Sequence, residues 1–323
     1  MASNALIPLV VVLGPSGSGK SELAVFLAKA IDGEVVNCDS LQLYRGFDIG
    51  TAKLAEAERR GVPHHLIDVL HPTELFTAGE YARRARNILM EISGRGRVPM
   101  IVGGTGFYLR ALLEGLFPGP SRDSTVRERL ELRERKKPGS LHRILARLDP
   151  ATATRIHRND KKKIIRALEV RLLEGRPIST LYAQGRAALS GFTPVKLGLN
   201  PNRALLYQRL DARTRGIFER GLIEEVAGLL AAGVPATAKP FESLGYKQAL
   251  QVIAGRWTAE QALQSTQSET RQYAKRQLTW FRKEPAVHWL EGFGDEARIQ
   301  QEALAMVGRH ITEQKITGLV TDL

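Results

Sequence analysis

With 323 residues, 43% of them hydrophobic and 25% charged, the chain can build one large core plus an elaboration and has a globular, not a disordered or fibrous, composition. Forty-seven Lys and Arg against 34 Asp and Glu leave a formal charge of +13, which calls for a polyanionic partner; nucleic acid stands ahead of membrane because no basic amphipathic anchor is evident. The single cysteine, Cys38, excludes an internal disulfide and a Cys-built zinc finger and suits a reducing cytosol, so a cytoplasmic location is expected.

The apolar run after Met1 is only about seven residues long and lacks a basic flank, so neither a signal peptide nor a membrane span is expected. That run, Leu9-Val10-Val11-Val12-Leu13, reads as a buried strand. It feeds Gly14-Pro15-Ser16-Gly17-Ser18-Gly19-Lys20-Ser21, a match to G-x-x-x-x-G-K-[ST], and a helix follows from Glu22 to Ala30. Strand, glycine loop and helix together make a phosphate site. Its amides and helix N-terminus face the anion, Lys20 supplies a point charge, and the Ser21 hydroxyl is placed for Mg²⁺. The motif fits a diphosphate or a triphosphate and does not choose between them.

Residues 33–39 read as a second strand ending in the carboxylate of Asp39, a candidate general base with Ser40 and Gln42 beside it. The competing reading is an Asp N-cap for a following helix. Gly61 to Val69 reads as a loop entering a third strand, with His64 and His65 as hydrogen-bonded loop histidines instead of metal ligands. Thr77 is the expected N-cap of a helix to about Ile92, with Glu80 as its capping-box partner. A fourth strand from Val98 ends in Gly103-Gly104-Thr105-Gly106, where a motor ATPase would carry an Asp for Mg²⁺; small residues there suit close approach to a ligand.

Beyond Phe117-Pro118-Gly119-Pro120 the composition shifts. Residues 118–192 hold 18 Lys and Arg against 8 Asp and Glu, a net of +10, and read as helices over 125–136, 141–148, 150–157, 161–174 and 178–188. Almost all of the chain's charge excess thus sits in one helical insertion, suited to gripping nucleic acid. A strand at 194–199 returns to the sheet, and helices follow at 205–220 and 222–231. A basic helix over 269–282 carries Arg271, Lys275, Arg276 and Arg282 with Tyr273, Trp280 and Phe281 between them. It suits RNA by charge and stacking, or buries its aromatics as ordinary core. Val287 to Leu290 reads as an edge strand and the tail from Asp295 as a last surface helix. The expected architecture is α/β: a P-loop NTPase-like parallel sheet flanked by helices, with core segments 1–117 and 193–323 interrupted by an all-helical insertion at 118–192.

Several blocks resemble one family closely, that of the bacterial tRNA dimethylallyltransferases (tRNA isopentenyltransferases). They are GPSGSGKS at 14–21, DSLQLYRGFDIGTAK at 39–53, GVPHHLIDV at 61–69, FTAGEYA at 76–82, IVGGTGFYLRAL at 101–112, NDKKKIIRALEV at 159–170, GYK at 245–247 and YAKRQLTWFR at 273–282. The family more often has Thr and Ala where Ser16 and Gly17 stand, and Met-Gln-Val in place of Leu41-Gln42-Leu43; neither change removes a functional group. The resemblance implies transfer of a dimethylallyl group from dimethylallyl diphosphate to N6 of the adenine on the 3′ side of the anticodon, position 37, with release of diphosphate.

It further implies that the loop, commonly labelled ATP-binding in such proteins, holds the donor's diphosphate together with Arg213 and Mg²⁺. It casts Asp39 as base, Thr105 near the bridging oxygen and Lys20 on the leaving group. Gln42 would read the flipped adenine, with Ser40 and Leu41 beside it. Lys162, Lys163, Arg166 and the flanking Ile164 and Ile165, with Arg127, would meet the anticodon stem-loop, joined by Lys275, Arg276 and Arg282. A monomer binding tRNA is expected. An AMP-specific isopentenyltransferase shares the donor site but has no use for the basic insertion; a small-molecule P-loop kinase or an RNA-binding protein with a vestigial loop fits less well.

Overall fold

The computed structural model describes residues 6–183 and 185–321, with side chains described as far as residue 314. In chain order the elements are β1 (Ile7–Leu13), α1 (Lys20–Ile31), β2 (Gly33–Asn37), β3 (His64–His65), α2 (Ala78–Gly94), β4 (Val98–Gly103) and α3 (Gly106–Leu113). Next come α4 (Ser124–Lys136), α5 (Ser140–Leu148), α6 (Pro150–Ala153), α7 (Lys161–Glu174) and α8 (Ile178–Ala183). The chain closes with β5 (Phe192–Leu199), α9 (Arg203–Glu219), α10 (Leu222–Ala231), α11 (Tyr246–Ile253), α12 (Ala259–Phe281), β6 (Val287–Leu290) and α13 (Ala297–Thr321).

The chain divides into two compact units. One joins residues 1–113 to 189–323; the other is Glu114–Ala188, four residues earlier at each end than the shift in composition suggests. The first holds a six-stranded sheet in the order β3-β2-β4-β1-β5-β6, with every pair parallel. Its central strands are continuous apolar runs because helices cover both faces: Leu9 to Leu13 are at most 1% exposed. β1 lies between β4 and β5, so the loop leaving its C-terminal end opens over the middle of the sheet, where α/β folds bind ligands.

α13 is not a bare surface helix. Ile299, Ala303 and Val307 are fully buried in the core that also contains Leu23 and Leu27 of α1. The third strand is only two residues long, and both histidines lie in it instead of in a loop. His64 pairs its ring with the Val62 carbonyl, and His65 reaches the buried Glu34 carboxylate, which Arg95 and Arg97 also contact. Thr77 caps α2 through the Glu80 amide, but the Glu80 carboxylate turns to Arg83 and Arg84 and leaves the capping box unmade. The basic helix begins at Ala259, ten residues before its expected start, because Thr258 and Gln261 form a reciprocal cap there.

The second unit is wholly helical. Leu141, Leu145, Ile164, Ala167, Leu168, Val170 and Leu181 pack into a core of their own. α7 spans the anticipated 161–174: Asp160 caps its first turn through the Lys163 amide, and Gly175 ends it in the left-handed region. α6 stops at Ala153 and α8 at Ala183, both shorter than periodicity suggests; residue 184, inside the expected last helix, lies outside the described residues.

Candidate active site

A cavity of about 1210 Å³ opens at the C-terminal edge of the sheet, within the first unit. The phosphate loop forms its floor. The turn after β2 (Asp39 to Gln42) and residues 48–55 form one wall, and α9, the loop before α11, and α12 form the other. Gly19 caps α1 at φ 83°, a left-handed conformation that glycine adopts without strain, and so turns the chain sharply into the helix. Its left-handed turn aims the first amides of α1 at the cavity, the arrangement that makes helix N-termini anion sites.

Two cations here make no ion pair. Lys20 donates only to the Pro15 carbonyl, at 2.8 Å. Burial first, and then the nearby charge of Arg213, bring its ammonium down to about 8. Arg213 projects from α9 into the same cavity and makes no side-chain hydrogen bond or ion pair within the protein; burial lowers it too. Both cations are half-buried, and Asp39 and Glu22 act on them only at a distance, without an ion pair, so an anion bound between them would offset the cost of their partial desolvation. This pair is the strongest physical signature of a diphosphate site.

Asp39 ends β2 on the cavity wall. Its Oδ1 accepts from the Leu41 amide at 2.9 Å, and its own amide donates to Asn37 Oδ1 at 3.1 Å, so the carboxylate is held in an Asx turn with its second oxygen unclaimed. No helix follows, which disposes of the N-cap reading. The Gln42 amide donates to the Thr51 carbonyl at 3.3 Å, leaving its oxygen free on the wall. Thr105 does not line the cavity. Its hydroxyl accepts from the Ser40 amide at 3.1 Å, so it braces the Asp39 turn.

The Gly103–Gly106 segment likewise serves protein neighbours. A Cβ on Gly103 would stand 2.2 Å from the Cys38 carbonyl oxygen, one on Gly104 2.3 Å from Gln277 Nε2, and one on Gly106 2.2 Å from Trp280. Gly103 and Gly104 also line the cavity, so the same small residues admit Cys38 after β2, Gln277 of α12 and the cavity itself.

Ser21 lines the cavity, and its hydroxyl has no protein partner. Among the described residues no group of three His, Cys, Asp or Glu could cage a metal. Mg²⁺ does not need such a cage, because it usually keeps several waters and takes one or two protein oxygens plus phosphate oxygens. Ser21 and a bound diphosphate fit that donor set.

α12 splits its basic residues. Arg276 stacks over Tyr273 at 5.7 Å and both line the main cavity, where burial, reinforced by the charge of Asp39, pushes the Tyr273 phenol up to about 12. Lys275 and Arg282, both exposed, border a separate hollow of about 310 Å³ with Arg203 and Tyr207. Phe281 is core, and Trp280 is sandwiched under Arg110. Periodicity does not reveal that Tyr273 stands near Asp39, nor that Gln277 touches the phosphate loop, since both depend on contacts between distant segments.

In the helical unit, Lys162 and Lys163 are exposed, and Lys163 also pairs with Asp160. Ile164 and Ile165 are 2% and 6% exposed and belong to the core, so their side chains are withdrawn from any RNA. Arg127 makes a two-pronged pair with fully buried Glu169, at 2.7 and 2.8 Å, and Arg166 joins it at 2.8 Å while also donating to the Pro120 carbonyl. Burial alone would raise the Glu169 carboxyl; the two guanidiniums and the Asp123 amide outweigh it and bring the group down to about 2. Arg127 and Arg166 therefore hold the fold before they can hold a phosphate.

The comparisons with known proteins agree with this geometry. Residues 42–284, three quarters of the chain, match the family described as "IPP transferase". The chain belongs to the IPP transferase family. It is 58% identical to the tRNA dimethylallyltransferase of Solibacter usitatus over 94% of its own length and 99% of that protein's. It is 53% identical to that of Koribacter versatilis over 93% and 97%. Among solved structures, the full-length tRNA isopentenylpyrophosphate transferase of Bacillus halodurans superposes with a TM-score of 0.72 at 35% identity, covering 96% of this chain and 98% of that one. A eukaryotic dimethylallyltransferase, solved acting on tRNA, gives 0.81 at 28% identity and covers 95% and 80%.

Proposed function

We propose that this IPP transferase is a prenyltransferase that moves the dimethylallyl group of dimethylallyl diphosphate onto N6 of the adenine next to the anticodon, position 37 of tRNA. The observation that carries the reading is a pair of half-buried cations that make no ion pair, Lys20 and Arg213, on the same cavity as the Asp39 carboxylate. Relatives at 58% and 53% identity bear the name tRNA dimethylallyltransferase.

The C1–O bond of the donor breaks and its electron pair leaves with the diphosphate. The charge that develops there is met by Lys20, Arg213 and the amides at the head of α1, which are already oriented and need no reorganisation. Ser21 would hold Mg²⁺, which supplies further neutralisation of the diphosphate when bound. The adenine nitrogen bonds to C1, and the proton it sheds passes to the free oxygen of Asp39, a task for a positioned carboxylate. Gln42 offers a carbonyl oxygen to an N–H of the extruded base, and Arg276 over Tyr273 offers a cationic stacking surface where RNA would lie. Exposed Lys162 and Lys163 with Lys275 and Arg282 would contact the RNA backbone.

A buried Cys38 thiol, pushed up to about 12 by burial, suits a reducing cytoplasm, and no described helix is long and apolar enough to cross a membrane.

Incubation of labelled dimethylallyl diphosphate and Mg²⁺ with unmodified tRNA and, in parallel, with AMP tests the reading. Label on tRNA alone, mapped to the adenine beside the anticodon, is the expected result. Label on AMP, or ATP turnover without prenyl transfer, would overturn it.

A further inference from the structure

Gln277 has no role in the chemistry above, yet its side chain joins three parts of the site. It lies on α12, 6% exposed. Its Oε1 accepts from the Ser16 amide at 2.8 Å and from the Ser16 hydroxyl at 3.2 Å, while Nε2 donates to the Gly104 carbonyl at 3.0 Å. Ser16 belongs to the phosphate loop. Gly104 precedes Thr105, whose hydroxyl fixes the Ser40 amide beside Asp39. The same helix presents Tyr273 and Arg276 to the cavity.

A carboxamide is the neutral group that accepts on one side and donates on the other. A carboxylate of the same shape lacks the donor and brings negative charge to a loop built for an anion. A hydrocarbon of the same length leaves the Ser16 amide and the Gly104 carbonyl buried without partners. The chain makes room for this contact, since a Cβ on Gly104 would occupy the place of Nε2.

We propose that Gln277 is a positioning residue for prenyl transfer: it sets the diphosphate loop and the Asp39 turn in one register and couples diphosphate binding to RNA binding through α12. The proposal rests on the functional reading above. A loop ordered by diphosphate holds Ser16 in place, Ser16 holds Gln277, and Gln277 fixes the part of α12 that presents Tyr273 and Arg276 to RNA.

The test uses the full chain and two variants, Gln277→Met and Gln277→Glu. Inorganic diphosphate with Mg²⁺ is titrated calorimetrically with and without a saturating, unmodified anticodon stem-loop RNA. The wild type should bind diphosphate about fivefold or more tighter when RNA is present, an ordinary coupling between two sites. In Gln277→Met, diphosphate binding alone should weaken about tenfold, the scale of two lost buried hydrogen bonds. Its coupling should fall to about one, with RNA affinity in the absence of diphosphate within about twofold of wild type.

Gln277→Glu should transfer poorly at neutral pH. Its kcat/KM relative to wild type should rise as pH falls, because a protonated carboxyl accepts from Ser16 and donates to Gly104 as the amide does. That pH ratio carries the test if Gln277→Met fails to fold. Absence of coupling in the wild type, full coupling in Gln277→Met, or a flat Gln277→Glu to wild-type ratio would overturn the proposal while transfer to tRNA by the wild type still stands. A wild type that transfers nothing to RNA would instead overturn the functional reading beneath it.

Discussion

The helical unit and the phosphate cavity each hold half-buried cations, and they handle the charge in opposite ways. In the helical unit, Arg127 and Arg166 converge on Glu169, which no solvent reaches, so these three charges are matched. In the phosphate cavity, Lys20 and Arg213 face each other with no carboxylate bridging them, and each is depressed by burial. Keeping Lys20 charged in that setting costs up to about 3 kcal/mol, the equivalent of its fall from 10.5 to about 8. A paired guanidinium reports on the fold. An unpaired one reports on a ligand that is expected to arrive.

The contrast breaks most sharply at the reacting centre. Asp39→Ala should lower prenyl transfer about 10³-fold, within the usual range for a positioned acid or base, and leave tRNA affinity within a few-fold. A filter-binding assay beside the transfer assay checks it, and lost tRNA binding would mean that Asp39 organises the RNA site instead of taking a proton.

Glu169→Ala should act the other way round. It leaves two half-buried guanidiniums uncompensated and should destabilise the helical unit by about 3 kcal/mol, read by denaturant unfolding with hydrogen exchange on α4 and α7. Diphosphate affinity should not change. Because the Glu169 carboxyl is held down near 2, its contribution is full above about pH 4.5 and is lost as pH falls through 2, so hydrogen-exchange protection of this unit should drop in that window.

Lys20 supplies the pH dependence of the cavity. Its ammonium must be charged to meet a diphosphate, so binding to the free enzyme should weaken as pH rises through about 8, and in Lys20→Met that wild-type inflection should be missing. The stability sign is opposite. The cost of the charged form is present below about 8 and is relieved toward 10.5, so Lys20→Met should melt no lower than wild type near pH 7. The smallest effect belongs to the exposed lysines. Removing Lys162 and Lys163 should flatten the salt dependence of tRNA binding by about two phosphate contacts, while Arg127→Met should change stability more than the salt slope.

The sequence carries the local part of this architecture well. The phosphate loop, the strands around it and the span of α7 follow from short-range rules: an apolar β-branched run, a glycine loop, an Asp at one cap and a Gly at the other. A local signal is passed over where no apolar period follows it, even when the capping pattern Thr258-x-x-Gln261 is present. Thr258 and Gln261 start α12 inside a Gln- and Ser-rich stretch that carries no apolar stripe strong enough to announce it. Partnership between distant residues is not written in any window of the chain. That Ile164 points into a core, that Arg127 is spent on Glu169, that Thr105 braces Ser40, and that Gln277 reaches Ser16 across 261 positions all come from tertiary contacts. A lysine-rich block therefore reads as basic, but which of its charges is free becomes visible only once the carboxylates have been placed.

Cations left without an ion pair mark the donor site, and a single titration checks this: inorganic diphosphate with Mg²⁺ into Arg213→Met, with the thermal midpoint measured on the same sample. Affinity should fall about tenfold or more while the midpoint holds or rises, since a half-buried cation has been removed from a site that gave it no ion-pair partner. Unchanged affinity with a lowered midpoint would contradict it, and would place Arg213 with Arg127 and Arg166 among the charges that serve the fold.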